Sequence, residues 1–132
     1  MEAIIYHNAR CGTSRNTLAL IRNAGIEPAV VDYLASPPSK EELRALIAEA
    51  GMTVREAMRR KETPYATLGL DDPALSEDAL LDHMIAEPIL INRPFVKTPL
   101  GVRLCRPSEI VLDILPDTQK GPFAKEDGKH FA

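Results

Sequence analysis

Apolar and polar positions alternate between strand-like and helix-like spacing along this chain. Residues 3–6 (Ala-Ile-Ile-Tyr) form a short apolar, β-prone run and predict a buried strand. A loop spans residues 7–13. From Ser14 the spacing is helical, with Leu18, Ile21 and Ala24 as the inner stripe and Gly25 placed to end it. Residues 29–34 predict a second strand. Strand, loop, helix and strand make a βαβ unit, whose strands normally pair in parallel. Pro37-Pro38 then breaks the chain. Ser39 with Glu42 forms a capping box, and Leu43, Leu46, Ile47 and Ala50 give a helix one apolar face, closed by Gly51. Thr53 with Glu56 repeats the box and predicts a short helix carrying Arg55, Arg59, Arg60 and Lys61. Short turns are expected over 62–75. Ser76 starts a helix that turns Leu80, Leu81, Met84 and Ile85 inward. Residues 88–92 predict a third strand, ended by Arg93-Pro94, itself a candidate cis peptide. Residues 95–97 and 102–105 predict an antiparallel hairpin through Thr98-Pro99-Leu100-Gly101. Pro107 opens a last helix as its first residue, with Ile110, Val111 and Ile114 inward. From Pro116 on the chain is polar and glycine-containing, and a loosely ordered tail is expected over about 117–132.

The order is a βαβ half, a helical insertion over about 37–87, and a ββα half. That is the layout of an α/β, thioredoxin-like domain with a mixed sheet of four to five strands. A length of 132 residues suits one domain, 1–132, able to bury a core. The net charge of −3 argues against nucleic acid as the main partner. No apolar run approaches the ~20 residues of a membrane helix, so no membrane partner is expected. The first residues carry neither a basic segment nor a cleavage site, and there are only two cysteines, Cys11 and Cys105. These features disfavour a secreted disulfide framework, and the cytoplasm is the expected compartment. A monomer is the default expectation.

Cys11 falls between a strand and a helix. Free backbone N–H groups at a helix start favour negative charge, so a thiolate there should form at lowered pH. His7 and Arg10 lie in the same loop as possible sources of positive charge. Gly12 allows close approach of a ligand, and Thr13 and Ser14 are good N-cap residues with hydroxyl groups. Cys11-Gly12-Thr13-Ser14 reads C-x-x-S, so the residue that would resolve a mixed disulfide in a C-x-x-C motif is absent. A covalently modified Cys11 needs an external thiol. The bland alternative, a small buried hydrophobe, does not call for such neighbours. Cys105, near the site in sequence, is a candidate resolving thiol, but it carries no motif of its own and the favoured reading is a strand residue without a redox role.

Three arginines fall at element ends. Arg59 closes the short third helix, Arg93 precedes Pro94, and Arg106 precedes Pro107. Guanidinium groups grip tetrahedral oxyanions bidentately, and such a set suits arsenate, phosphate or sulfate. Taken singly, an arginine is more often a solvated charge, and Arg55, Arg60 and Arg103 read that way. His83 and His130 show no metal-ligand spacing, so no metal site is expected.

Three segments together are specific. Tyr6-His7-Asn8-x-x-Cys11-Gly12-Thr13-Ser14-Arg15-Asn16-Thr17-Leu18 resembles the active-site segment of the glutaredoxin-dependent arsenate reductase family, of ArsC type. Pro88-Ile89-Leu90-Ile91-Asn92-Arg93-Pro94 resembles its second signature, and the run from Thr98 to Glu109 a third. The resemblance extends from about residue 4 to 128. It implies a thioredoxin-like fold, with Cys11 attacking arsenate to form a thiol–arsenate adduct. Glutathione, a co-substrate, condenses with the adduct, glutaredoxin delivers the reducing equivalents, and arsenite leaves. No bound cofactor is implied. The family's oxyanion arginines map onto Arg59, Arg93 and Arg106, its thiolate-promoting histidine onto His7, and its loop serine onto Ser14. The sequence departs in reading Asn8-Ala9, where relatives often carry proline after the asparagine. A redox regulator built on C-x-x-C is disfavoured by Ser14. A phosphatase-like C-x5-R loop fails because position 17 is Thr17.

Overall fold

The computed structural model describes residues 1–121, with the backbone of 123–124 and 130–131. The chain forms two compact units. One is built from Met1–Asp32 and Arg93–Ala132, the other from Tyr33–Asn92.

The first unit carries a four-stranded sheet in the order β2-β1-β3-β4. Its strands are β1 (Ile4–His7), β2 (Ala29–Asp32), β3 (Phe95–Thr98) and β4 (Gly101–Leu104). β1 and β2 run parallel, with Ile4 opposite Ala29 and His7 opposite Asp32. β1–β3 and β3–β4 are antiparallel. The sheet is thus mixed, as the βαβ and ββα halves require. Helix α1 (Gly12–Asn23) links β1 to β2, and a 3-10 helix, Ser108–Ile114, follows β4. Ile5 and Val96 stand opposite each other on neighbouring strands and so share a face. That face packs with Leu20 and Ile21 of α1 and with Val111 and Ile114 of the 3-10 helix, all essentially inaccessible to water. Fully burying such an aliphatic side chain stabilises by roughly 1.5–3 kcal/mol each before entropy is charged. α1 ends in a Schellman motif. The Gly25 N–H bonds the Arg22 carbonyl and the Ile26 N–H the Ile21 carbonyl, with Gly25 at φ +85.

In the second unit, α2 (Lys40–Glu49) and α3 (Glu77–Ala86) start at Ser39 and Ser76. Each serine hydroxyl accepts a backbone N–H three residues on, from Glu42 and Ala79. Lys40 and Arg44 of α2 both pair with Asp78 of α3, and Lys40 also with Asp82.

Four expectations are corrected. Residues 88–92 do not form a strand. Pro88–Leu90 is a 3-10 turn in which Leu90 and Ile91 donate to the carbonyls of Glu87 and Pro88, both at 2.9 Å. Proline favours this local turn, and Leu90 and Ile91 are buried by it as fully as by a sheet. The sheet therefore has four strands. No helix forms over 53–61, where residues 54–57 make one turn. The reciprocal Thr53–Glu56 box is present, at 2.8 and 3.2 Å, but Arg59 then donates to the Leu90 carbonyl and Asn92 to the Ala57 carbonyl. The same short pairing, centred on a Met58–Ile91 bridge, thus stops both predicted elements. The last helix is 3-10, and Pro107 caps it with an extended ψ of 166° instead of occupying its first position. Finally, α1 begins at Gly12 with Cys11 as the cap, and β1 extends through His7.

The tail is tied at its start. Thr118 donates to the Ala24 carbonyl, Gln119 to the Leu20 carbonyl and Lys120 to the Asn23 carbonyl. Residues 123–124 pair with 130–131. The rest of the expected tail lies outside the described residues.

Candidate functional site

The Cys11 loop is held by its own backbone and by three side chains. Asn8 is buried, and its Oδ1 accepts the Arg10 N–H at 3.0 Å, while its carbonyl accepts the Cys11 N–H at 3.0 Å. This Asx-type turn brings the chain round from β1 into α1. Arg15 donates from Nη1 to the Ala9 carbonyl at 2.7 Å, clamping the outside of the loop. Ser14 is fully buried. Its Oγ accepts the Asn8 N–H at 3.1 Å and lies 2.7 Å from Nδ1 of His7. The Ser14 side chain therefore fastens the first turn of α1 to the end of β1.

Cys11 occupies the cap position of α1, and its carbonyl accepts the Arg15 N–H. Burial pushes the thiol up, but four influences outweigh it. They are the Ser14 backbone N–H, the Arg93 charge, and the hydrogen bond and charge of Arg106, so the net value falls below that of an ordinary cysteine. Arg106 Nη1 donates to the Arg93 carbonyl at 3.0 Å and stands 3.7 Å from Cys11 Sγ. Both arginines precede a cis proline, Pro94 and Pro107.

Burial, then Arg22 and Arg15, push the His7 imidazole below the ordinary value of 6.5, with only Asp32 opposing. The influences that lower the Cys11 thiol do not include His7, whose side-chain contact is with Ser14. Besides the Ser14 N–H, the charges that lower the thiol are those of Arg93 and Arg106, not that of Arg10.

Cys105 is fully buried in the core of the first unit, and desolvation pushes its thiol up to about 12. This agrees with a thiol that has no redox role.

The first unit therefore brings together Cys11, His7, Ser14, Arg93 and Arg106. Arg59 belongs to the second unit, where its side chain is 13% exposed, donates to the Lys61 carbonyl and pairs with Glu62 at 3.6 Å. Arg55 donates to the carbonyls of Leu70 and Asp72, and Arg60 stacks over Tyr65. Asn8 and Arg15 were missed as loop-shaping residues. An asparagine two residues before a turn N–H was the available signal for the first. Among the described residues no group of three metal-ligating side chains occurs, and no helix is long and apolar enough to cross a membrane.

The model of the ArsC family matches residues 6–114. An arsenate reductase of Rhizobium meliloti (strain 1021) is 70% identical over 129 residues, spanning 98% of this chain and 92% of its own length. An arsenate reductase of Escherichia coli is 60% identical over 125 residues, spanning 95% and 89%. The solved structure of an arsenate reductase from Vibrio cholerae matches with a TM-score of 0.84 at 48% identity, covering 87% of this chain and 98% of that one. The shared architecture is thioredoxin-like.

Proposed function

This chain belongs to the ArsC family, and from that premise we propose that it reduces arsenate to arsenite with Cys11 as nucleophile. The observation that carries the proposal is the buried Cys11 sulfur on the cap of α1 with the Arg106 guanidinium 3.7 Å away. A thiolate and a cation side by side suit attack on an anionic oxyacid, because the cation offsets the repulsion between two negative reactants.

In the first step the Cys11 thiolate bonds to As(V), and one arsenate oxygen leaves as water after protonation. Arg93 and Arg106 hold the remaining oxygens, and the resemblance adds Arg59 to the same role. Glutathione then supplies a second thiol. Its sulfur and that of Cys11 become a mixed disulfide, giving up the two electrons that take As(V) to As(III), and arsenite leaves. A glutaredoxin thiolate attacks the glutathione sulfur and frees Cys11. Ser14 in place of a second cysteine is the reason that external thiols are required, and Cys105, high in its titration and buried, does not replace them. The abundance of glutathione and the persistence of free thiols suit the cytoplasm, and the chain acts as a monomer without bound cofactor. Phosphate, alike in shape and charge but not reducible by thiols, competes for the arginines.

The test is arsenate-dependent NADPH oxidation coupled through glutathione, glutaredoxin and glutathione reductase. Activity that requires glutaredoxin and disappears in Cys11→Ser supports the proposal. A folded wild-type chain without arsenate-dependent oxidation overturns it.

A further inference from the structure

Glu62 stands at φ +60, the one non-glycine residue in the left-handed region among the described residues. A Cβ there crowds the backbone, so glycine or asparagine is the usual choice. The Glu62 side chain is 84% exposed and adds nothing to the core. Glycine would hold this turn without strain, so what the glutamate adds is its carboxylate.

That carboxylate faces Arg59. Its Oε2 lies 3.6 Å from Nη2, and Nε of the same guanidinium donates to the Lys61 carbonyl at 3.1 Å. The backbone around the pair is held on both sides. The Arg59 N–H donates to the Leu90 carbonyl at 2.8 Å. The Thr63 hydroxyl donates to the Arg59 and Arg60 carbonyls at 3.1 and 2.9 Å and accepts the Tyr65 N–H at 3.2 Å. The adjacent Arg60 is engaged over the Tyr65 ring.

A guanidinium grips an oxyanion with two neighbouring N–H groups, either Nε with Nη2 or Nη1 with Nη2. Both arrangements use Nη2, the atom that faces Glu62. The Arg59 side chain is only 13% exposed, and a cation so far removed from water needs a counter-charge. In the empty protein Glu62 supplies it. The pair is loose, because 3.6 Å exceeds hydrogen-bond length and the carboxylate stands in water. An incoming anion therefore moves it aside without breaking a hydrogen bond.

We propose that Glu62 is a resident counter-anion of Arg59, displaced when a tetrahedral oxyanion binds, and that it thereby sets the affinity of the protein for its substrate and for phosphate. The inference rests on the reading of Arg59 as one of the arginines that hold the oxyanion. A carboxylate beside the cation opposes a second negative charge in either bidentate arrangement, so its removal tightens anion binding. The size follows from what exposed ion pairs contribute, a factor of about 1.5 to 5 in Kd.

The test is isothermal titration calorimetry of the whole chain with inorganic phosphate, on the wild type, Glu62→Gln, Glu62→Gly, Arg59→Ala and the double variant Arg59→Ala/Glu62→Gln. Glu62→Gly, which the backbone accommodates without strain, guards against a folding defect. Both Glu62 substitutions should lower the phosphate Kd by the stated factor, and the KM for arsenate should fall with it. Arg59→Ala should weaken phosphate binding, and in that background Glu62→Gln should change nothing further. Unchanged or weakened phosphate binding in both Glu62 variants, with native circular dichroism spectra, overturns the proposal. An equal gain in the Arg59→Ala background also overturns it, since that marks a general charge effect. Phosphate affinity indifferent to Arg59→Ala removes Arg59 from the anion site, and the proposal falls with that reading. If phosphate binding tightens through Arg59 as described while arsenate is not reduced, the counter-anion role stands and the functional reading falls.

Discussion

Replacing Arg106 tests how much of the thiol's reactivity comes from one side chain. Its Nη1 atom spans two partners, the Arg93 carbonyl at 3.0 Å and Cys11 Sγ at 3.7 Å. Two unit charges about 4 Å apart interact by ~1 kcal/mol in bulk water and ~4 kcal/mol at an effective dielectric of ~20. Cys11 is buried and Arg106 exposed, so the pair lies in the lower half of that range. A hydrogen bond to a charged group contributes about 1.5–3 kcal/mol on independent grounds. Both routes meet at about 2 kcal/mol, which is a factor of roughly 30 in rate. Arg106→Ala should therefore lower kcat/KM for arsenate by at least that factor, more if Arg106 also holds the oxyanion. It should also move the pH limb of Cys11 alkylation by iodoacetamide upward. Arg106→Lys keeps a charge but not the planar fork that serves both partners at once, and should recover the alkylation limb better than kcat/KM. An Arg106→Ala variant whose alkylation limb coincides with that of the wild type would refute the electrostatic reasoning, whatever its turnover.

Native protein treated with iodoacetamide near pH 8 should be modified at Cys11 and not at Cys105, whose buried thiol is pushed up to about 12; peptide mapping checks this, and Cys105→Ala should keep its kcat. His7 is lowered from 6.5 by burial first and then by Arg22, so the fold favours the neutral ring. That contribution is present above the unfolded value and is lost as pH falls through the folded one, so wild-type stability should decline more steeply below about pH 6.5 than that of His7→Gln. Equal slopes in urea titrations would contradict it. Ser39→Ala removes the hydroxyl that accepts the Glu42 N–H and should cost about 1 kcal/mol, read as a lowered Tm with unchanged activity.

Much of the fold was legible because local and global signals agreed. Ser39 and Ser76 start their helices where the capping patterns put them, and Gly25 ends α1 by the motif its position suggests. The 3–6 and 95–105 runs became strands in the expected pairing. The misread segments were those whose backbone partners are distant in sequence. Nothing near residue 58 shows that Met58 will bridge to Ile91, yet that bridge dissolves both the 53–61 helix and the 88–92 strand. A short buried apolar run such as 88–92 has no periodicity that separates a strand from a turn. Within the site, the reactive cysteine could be read from its place before a helix and from Gly12, Thr13 and Ser14 around it. The role of His7 could not. A histidine four residues from a cysteine suggests a source of positive charge for the thiol, whereas extension of β1 through His7 brings its Nδ1 to 2.7 Å from Ser14 Oγ. That geometry depends on the βαβ packing, which the sequence states only as a pattern.

The central claim is that Cys11 forms the covalent link through which electrons reach arsenic. The most direct measurement is the intact mass of the reduced protein incubated with glutathione, with and without arsenate, in the absence of glutaredoxin, followed by peptide mapping. The account predicts one glutathione on Cys11, formed only when arsenate is present, removed by glutaredoxin, and absent in Cys11→Ser. Arsenite produced while Cys11 stays unmodified, or produced equally by Cys11→Ser, would contradict it.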